Sequence, residues 1–308
     1  MRITAFGTGA FAVPAIRALA EHIVLVVSQP DRPSGRGMHM HASPVSLAAR
    51  ELGIPIETPE RSRAPEFVER LVAENADFLL VASYGQILSP RVLESAKRGG
   101  INLHGSILPR WRGAAPIQRC LEAGDTESGV TLMQMDRGMD TGDIIEIRST
   151  PIGPYETYGE LHDRLAELAA IQITEWAPRI ASGAYPRTAQ DHALATMAPK
   201  VERGDTELDP CAHADTAFNR FRAFTPNPGV FVRSATGTVK VHRARKAEGS
   251  GPAGTVLQTH PELVVAFGSG ALALIEVQPE GKKRMAGSDL ANGLRIKPGL
   301  EWLNKEHG

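Results

Sequence analysis

Short aliphatic runs alternate along the first half of the chain with stretches whose apolar positions recur every three or four residues. Strands are predicted over 2–6, 23–27, 54–57, 77–82 and 100–104, and helices over 12–20, 44–52, 64–75, 89–96 and 115–123. A strand without polar alternation is covered on both faces, so helices must lie above and below it. The βαβ rhythm therefore predicts an α/β fold with a doubly wound, mostly parallel sheet. After Val130 the pattern changes to an antiparallel pair over 129–135 and 143–149, then a helix over 157–182.

Residues 182–210 carry no period and are rich in Ala, Asp, Thr and Pro, which predicts a linker crossing the surface. A short helix over 216–224 then precedes five or six short strands, at 230–233, 238–244, 254–258, 262–266 and 271–278, separated by Gly/Pro turns. Such strands predict a small OB-like β-barrel. The expected domains are 1–185, a linker at 186–207, and 208–308.

Length and composition agree with two soluble domains: 308 residues, 42% hydrophobic and 22% charged. The longest aliphatic runs fall far short of a bilayer span, and Met1-Arg2-Ile3-Thr4 leads into a strand, so a cytoplasmic protein without membrane contact is expected. Cys120 and Cys211 stand 91 positions apart without a CxxC or Cys/His cluster, so neither a disulfide framework nor a metal site is expected. Residues 1–199 hold 19 Lys+Arg against 23 Asp+Glu, whereas 200–308 hold 15 against 12. The basic tail is compatible with a polyanionic partner.

Gly7-Thr8-Gly9-Ala10-Phe11-Ala12 fits a dinucleotide fingerprint between a strand and a helix, with Asp31 some 20 residues on. Any first βα turn can need those glycines for its backbone, however. Asn102 and His104 end a buried strand two residues apart, and so point to one side at the carboxyl end of the sheet, where open α/β folds bind ligands. An amide can donate to an oxyanion, and an imidazole can move a proton near neutral pH. Asp140 sits in a turn between Gly138 and Gly142, from which a carboxylate can reach under a histidine; Asp136 and Asp143 compete for that role.

Arg110 and Arg112 flank Trp111 in a loop that can bind an anion or a base, or can simply be solvated. Residues 31–41 combine Pro/Gly breakers with Arg32, Arg36, His39 and His41, predicting an exposed, mobile loop able to touch phosphate. Lys282, Lys283 and Arg284 form a basic cluster on the presumed barrel, suited to backbone phosphate or to a soluble hairpin.

Taken together, the run from Asn102 through Ile117 and the segment Met139-Asp140-Thr141-Gly142-Asp143 resemble the folate-dependent formyltransferases. The likeness extends through residues 29–33, 82–88 and 221–229 to 278–283. It implies a Rossmann-like catalytic domain, a 10-formyltetrahydrofolate donor and initiator methionyl-tRNA as acceptor; a monomer is expected. Carried over by motif, it implies Asn102, His104 and Asp140 as catalytic residues. It places Ser106, Ile107, Leu108 and Pro109, with Gln86 and Ile87, at the folate. Arg32, Arg36, Lys282, Lys283 and Arg284 are the expected tRNA contacts.

Three positions depart from the family pattern. Met38 and His39 stand where lysines are usual, Gly9 replaces a common proline, and Leu208-Asp209-Pro210 lacks an Asp-Trp pair. The rival readings are a formyltransferase acting on a sugar amine or ribonucleotide amine, an NAD-dependent oxidoreductase, and a non-catalytic RNA-binding module. Members acting on small amines share the Asn/His/Asp core without this carboxyl-terminal barrel.

Overall fold

The computed structural model describes residues 1–34 and 39–304. The aliphatic runs form seven strands of one sheet: β1 (Ile3–Gly7), β2 (Ile23–Val27), β3 (Ile56–Glu57), β4 (Phe78–Ala82), β5 (Gly100–His104), β6 (Glu127–Gln134) and β7 (Ile144–Pro151). Their order is β7-β6-β5-β4-β1-β2-β3. The first five are parallel, and β6 and β7 run antiparallel at one edge. The order reverses between β1 and β4, so the carboxyl ends of these strands open a crevice for ligands.

Both faces are covered, as the unalternated strands require. Phe6, Leu25, Val27, Leu79 and Val81 pack with Phe67, Val68 and Leu71 of the helix Pro65–Ala73 and with Val92 of Pro90–Leu93. The opposite face meets the helices Val13–Ala18 and Pro44–Glu51; a Cβ on Gly7 would lie 2.8 Å from that of Ala12 and 3.2 Å from Val45 Cγ2. That glycine is needed for close helix packing. The long helix Tyr158–Ser182 opens on a capping box, in which Glu160 accepts from the Thr157 amide at 2.8 Å. Leu165, Ala169, Ile173, Ala177 and Ile180 make its buried stripe. No described helix is long and apolar enough to cross a membrane.

Chain contacts divide the protein into two compact units. One contains Met1–Pro116, Glu127–Pro151 and His162–Pro199, and the other Ile117–Thr126, Ile152–Leu161 and Lys200–Gly308. The stretch 186–207, expected as a linker, is woven into structure: Met197–Ala198 pairs in parallel with Arg112–Gly113.

The second unit carries six antiparallel strands: β8 (Val230–Ser234), β9 (Gly237–Ala247), β10 (Val256–Gln258), β11 (Leu263–Ala266), β12 (Ala271–Pro279) and β13 (Met285–Ala286). They follow the order β8-β9-β12-β11-β10, with β13 on β12. The free edges are joined by the chain end, because Leu303 bridges Ser234 and Glu301 bridges Thr255. No strand was expected there; the closure is made by isolated backbone bonds, such as Trp302 N to Gly254 O at 2.9 Å and Ala235 N to Trp302 O at 3.0 Å. Trp302 is 1% exposed and plugs the seam. Trp302→Ala is therefore expected to cost about 3–5 kcal/mol in urea unfolding of the second unit. A loss below about 1 kcal/mol would show that the plug contributes no more than a surface residue.

Candidate active site

β5 presents alternate side chains to opposite faces, so Ile101 and Leu103 enter the core while Asn102 and His104 share the other side. Asp140 comes from the loop between β6 and β7. It adopts φ 53°, a left-handed conformation that aspartate tolerates better than most residues. Its carboxylate meets both: Oδ1 accepts from Asn102 Nδ2 at 3.3 Å, and Oδ2 stands 3.6 Å from His104 Nδ1. The backbone N–H of Gly113 also donates to Oδ2, at 2.9 Å. The trio expected from sequence is thus brought together.

The two competing acids are engaged elsewhere. Asp136 accepts from Gly138 N at 2.9 Å and from Thr141 Oγ1 at 2.7 Å, which shapes the turn, while Asp143 pairs with Arg187 at 2.9 Å. His104 is 6% exposed and its Nε2 lies 2.8 Å from the Trp111 carbonyl. A carbonyl only accepts, so Nε2 carries the hydrogen and Nδ1 faces Asp140.

The loop after β5 is fixed from beneath. Buried Thr131 on β6 donates to Ser106 O at 2.6 Å and accepts from Leu108 N at 3.1 Å; Ser106 Oγ donates to Arg110 O at 2.8 Å. Of the segment expected at the folate, the side chains of Ser106 and Leu108 are therefore inward and structural, and Ile107 and Pro109 are half-buried. Gln86 accepts from Ser62 N at 3.3 Å, and Ile87 beside it is 85% exposed. Neighbouring Tyr84 closes β4 into the core, and burial pushes its phenol up to about 12.

Sequence reading leaves Arg110 and Arg112 alike, and the structure separates them. Arg110 is exposed and lies over the Trp111 ring at 5.3 Å. Arg112 is buried, donating to Gln190 Oε1 at 3.1 and 2.7 Å and lying 3.0 Å from His192 Nδ1. The expectation of a solvated or anion-binding Arg112 is corrected: acceptors contributed by the 190s outcompete water. Gly113 follows at φ 122°, where a Cβ would lie 2.7 Å from Ala198 O. Thr131 and Gln190 were missed; Gln190 sits in an aperiodic tract without a local signal.

The glycine turn after β1 is spent internally, since the N–H groups of Thr8 and Gly9 both donate to Ser83 O, at 3.1 and 3.2 Å. Gly9 also caps the short helix Ala10–Ala12, so the glycines serve the strand–helix junction itself. The loop expected over 31–41 instead pairs Arg32–Ser34 with His39–His41 as an antiparallel ladder, because backbone pairing needs no apolar period. Arg36 and Met38 lie outside the described residues. Lys282, Lys283 and Arg284 are exposed on the turn between β12 and β13. A cleft of about 750 Å³ in the second unit, lined by residues including Arg203, Phe231 and Lys240, contains none of the trio.

Residues 1–176 match the formyl transferase family, and residues 200–295 match the formyl transferase C-terminal domain. The chain belongs to the formyl transferase family. Among relatives of this formyl transferase, the methionyl-tRNA formyltransferase of Citrifermentans bemidjiense is 42% identical over 97% of this chain and 95% of its own. That of Symbiobacterium thermophilum is 43% identical over 99% and 96%. The fold is shared with the N-formyltransferase of Helicobacter canadensis, solved with folinic acid and dTDP-3-aminofucose. There the TM-score is 0.66 at 15% identity, over 89% of this chain and 98% of that one.

Proposed function

We propose that this formyl transferase moves the formyl group of 10-formyltetrahydrofolate to the α-amine of methionyl initiator tRNA. The convergence of Asn102, His104 and Asp140 at the end of β5 carries the chemistry. Relatives of that name, above 40% identical along nearly the whole chain, support the acceptor. Exposed Ile87, which follows β4, and half-buried Ile107 and Pro109, which follow β5, supply apolar side chains at the carboxyl ends of these strands, and this supports placing the donor's flat heterocycle there. When bound, the donor supplies an activated formyl carbon.

The chain's own residues do the rest. Asn102 Nδ2 donates to the formyl oxygen as the amine adds and charge develops there. His104 turns its Nε2–H from the Trp111 carbonyl toward the same oxygen and passes protons between nitrogens. The amine nitrogen gains a bond to carbon and sheds one proton; the departing folate nitrogen loses its bond to carbon and takes one up. Asp140 orients the imidazole and supports its charged form.

Formyl transfer to charged initiator tRNA, with elongator tRNA as control, tests the reading directly. A sugar-amine acceptor is the second reading, favoured by the shared fold of the Helicobacter canadensis enzyme. Formylation of an amino-sugar nucleotide but not of charged tRNA would select it.

The turn carrying Lys282, Lys283 and Arg284 is proposed as the tRNA contact of the second unit; the further contacts expected at Arg32 and Arg36 rest on the sequence alone. Neutralising the three turn residues is expected to weaken tRNA binding and to lower the slope of log K against log salt by roughly 2–3. An unchanged slope would move the RNA surface elsewhere.

A further inference from the structure

Asp140 is held in its left-handed conformation by a residue 50 positions away. The Gln190 side chain is 6% exposed and uses its whole hydrogen-bonding capacity. Nε2 donates to Asp140 O at 2.9 Å and to Gly142 O at 2.7 Å, and Oε1 accepts twice from Arg112. The two carbonyls flank Thr141, so the amide clamps the turn at two points. Among the described residues Arg112 makes no carboxylate ion pair; the buried guanidinium is held by neutral acceptors, Gln190 and His192. A buried cation held this way costs more to keep than an apolar side chain, so core filling is a poor account of it.

The clamp explains why Asp140 reaches the trio. A residue at φ 53° between two glycines has lower-energy conformations open to it at negative φ. Any of them would swing the carboxylate away from Asn102, His104 and the Gly113 amide. We propose that Gln190, braced by Arg112, is a positioning residue for formyl transfer, acting through Asp140 by fixing the carbonyls on either side of Thr141. The inference rests on the trio's assignment in the reading above.

The experiment compares Gln190→Ala, Gln190→Glu, Asp140→Asn and the double variant Gln190→Ala/Asp140→Asn, assayed with charged initiator tRNA and 10-formyltetrahydrofolate. Gln190→Ala should lower kcat on the order of 100-fold, the cost of an ångström-scale misplacement, with KM for both substrates unchanged. Gln190→Glu keeps the volume and the Arg112 contact but cannot donate to the two carbonyls, so it should lose as much. It carries the test if the alanine variant fails to fold.

In the Asp140→Asn background, Gln190→Ala should cost nothing further, because the group it acts through has already been disabled. Losses that multiply, a Gln190→Glu variant with wild-type kcat, or an effect confined to KM would each overturn the inference. Wild-type protein that fails to formylate charged tRNA would instead overturn the functional reading beneath it.

Discussion

Asn102→Ala is expected to lower kcat for formyl transfer by about 100- to 1,000-fold, the usual cost of losing one oxyanion donor. The side chain is half-buried and its one described bond, to Asp140 Oδ1, is a long 3.3 Å. The folding energy at stake is modest, about 1–2 kcal/mol, because this bond to a carboxylate is long and the other carboxylate oxygen keeps its donor. β5 keeps its backbone pairing, since Asn102 sits opposite Val81 on one side and Met133 on the other, and alanine preserves both ladders. Loss should therefore appear in kcat, with the melting temperature and tRNA affinity near wild type. Steady-state kinetics with charged initiator tRNA decide it, and near-normal turnover would remove Asn102 from the chemistry.

Asp140→Asn should lower kcat on the order of 100- to 1,000-fold, less than the ~10⁴-fold seen where a His–Asp pair is fully hydrogen-bonded. The contact here, 3.6 Å from His104 Nδ1, is an electrostatic approach and not a hydrogen bond. Asparagine accepts the left-handed backbone as readily as aspartate, so the loop has no steric reason to move. The carboxylate, however, receives donors on both oxygens, Asn102 Nδ2 on one and Gly113 N on the other. An amide must turn its own NH₂ toward one of them, and the negative charge facing His104 is lost as well. A variant that keeps its turnover while melting earlier would make Asp140 a loop brace only.

Much of this arrangement is legible locally. The aliphatic runs read as strands covered on two faces, and each became a strand of the first sheet, because burial on both faces leaves no alternation. Asn102 and His104 share a face for the same reason, the two-residue period of the strand. The hairpin at Arg32–Ser34 and His39–His41 escaped, since its pairing is carried by backbone groups that any sequence supplies. The barrel's closing segment, 300–304, escaped likewise: its isolated bridges need neither propensity nor pattern.

Choosing among Asp136, Asp140 and Asp143 was beyond local rules. All three sit in or beside one turn, and distant partners single out two of them: Arg187 takes Asp143, while Gly113 and Asn102 take Asp140. Arg112 and Gln190 show the same limit, meeting across 78 residues of chain.

The sequence by itself therefore determined the order of strands and helices in the first sheet, the run of short strands in the second unit, and the pairing of an amide with an imidazole at one strand end. All of these follow from periods of two to four residues. The tertiary structure alone decided which carboxylate completes the trio, which arginine is buried, and how the glycine turn spends its amides on Ser83. Each of those outcomes is decided by hydrogen-bonding partners far away in the chain, and only the packed fold sets their distances.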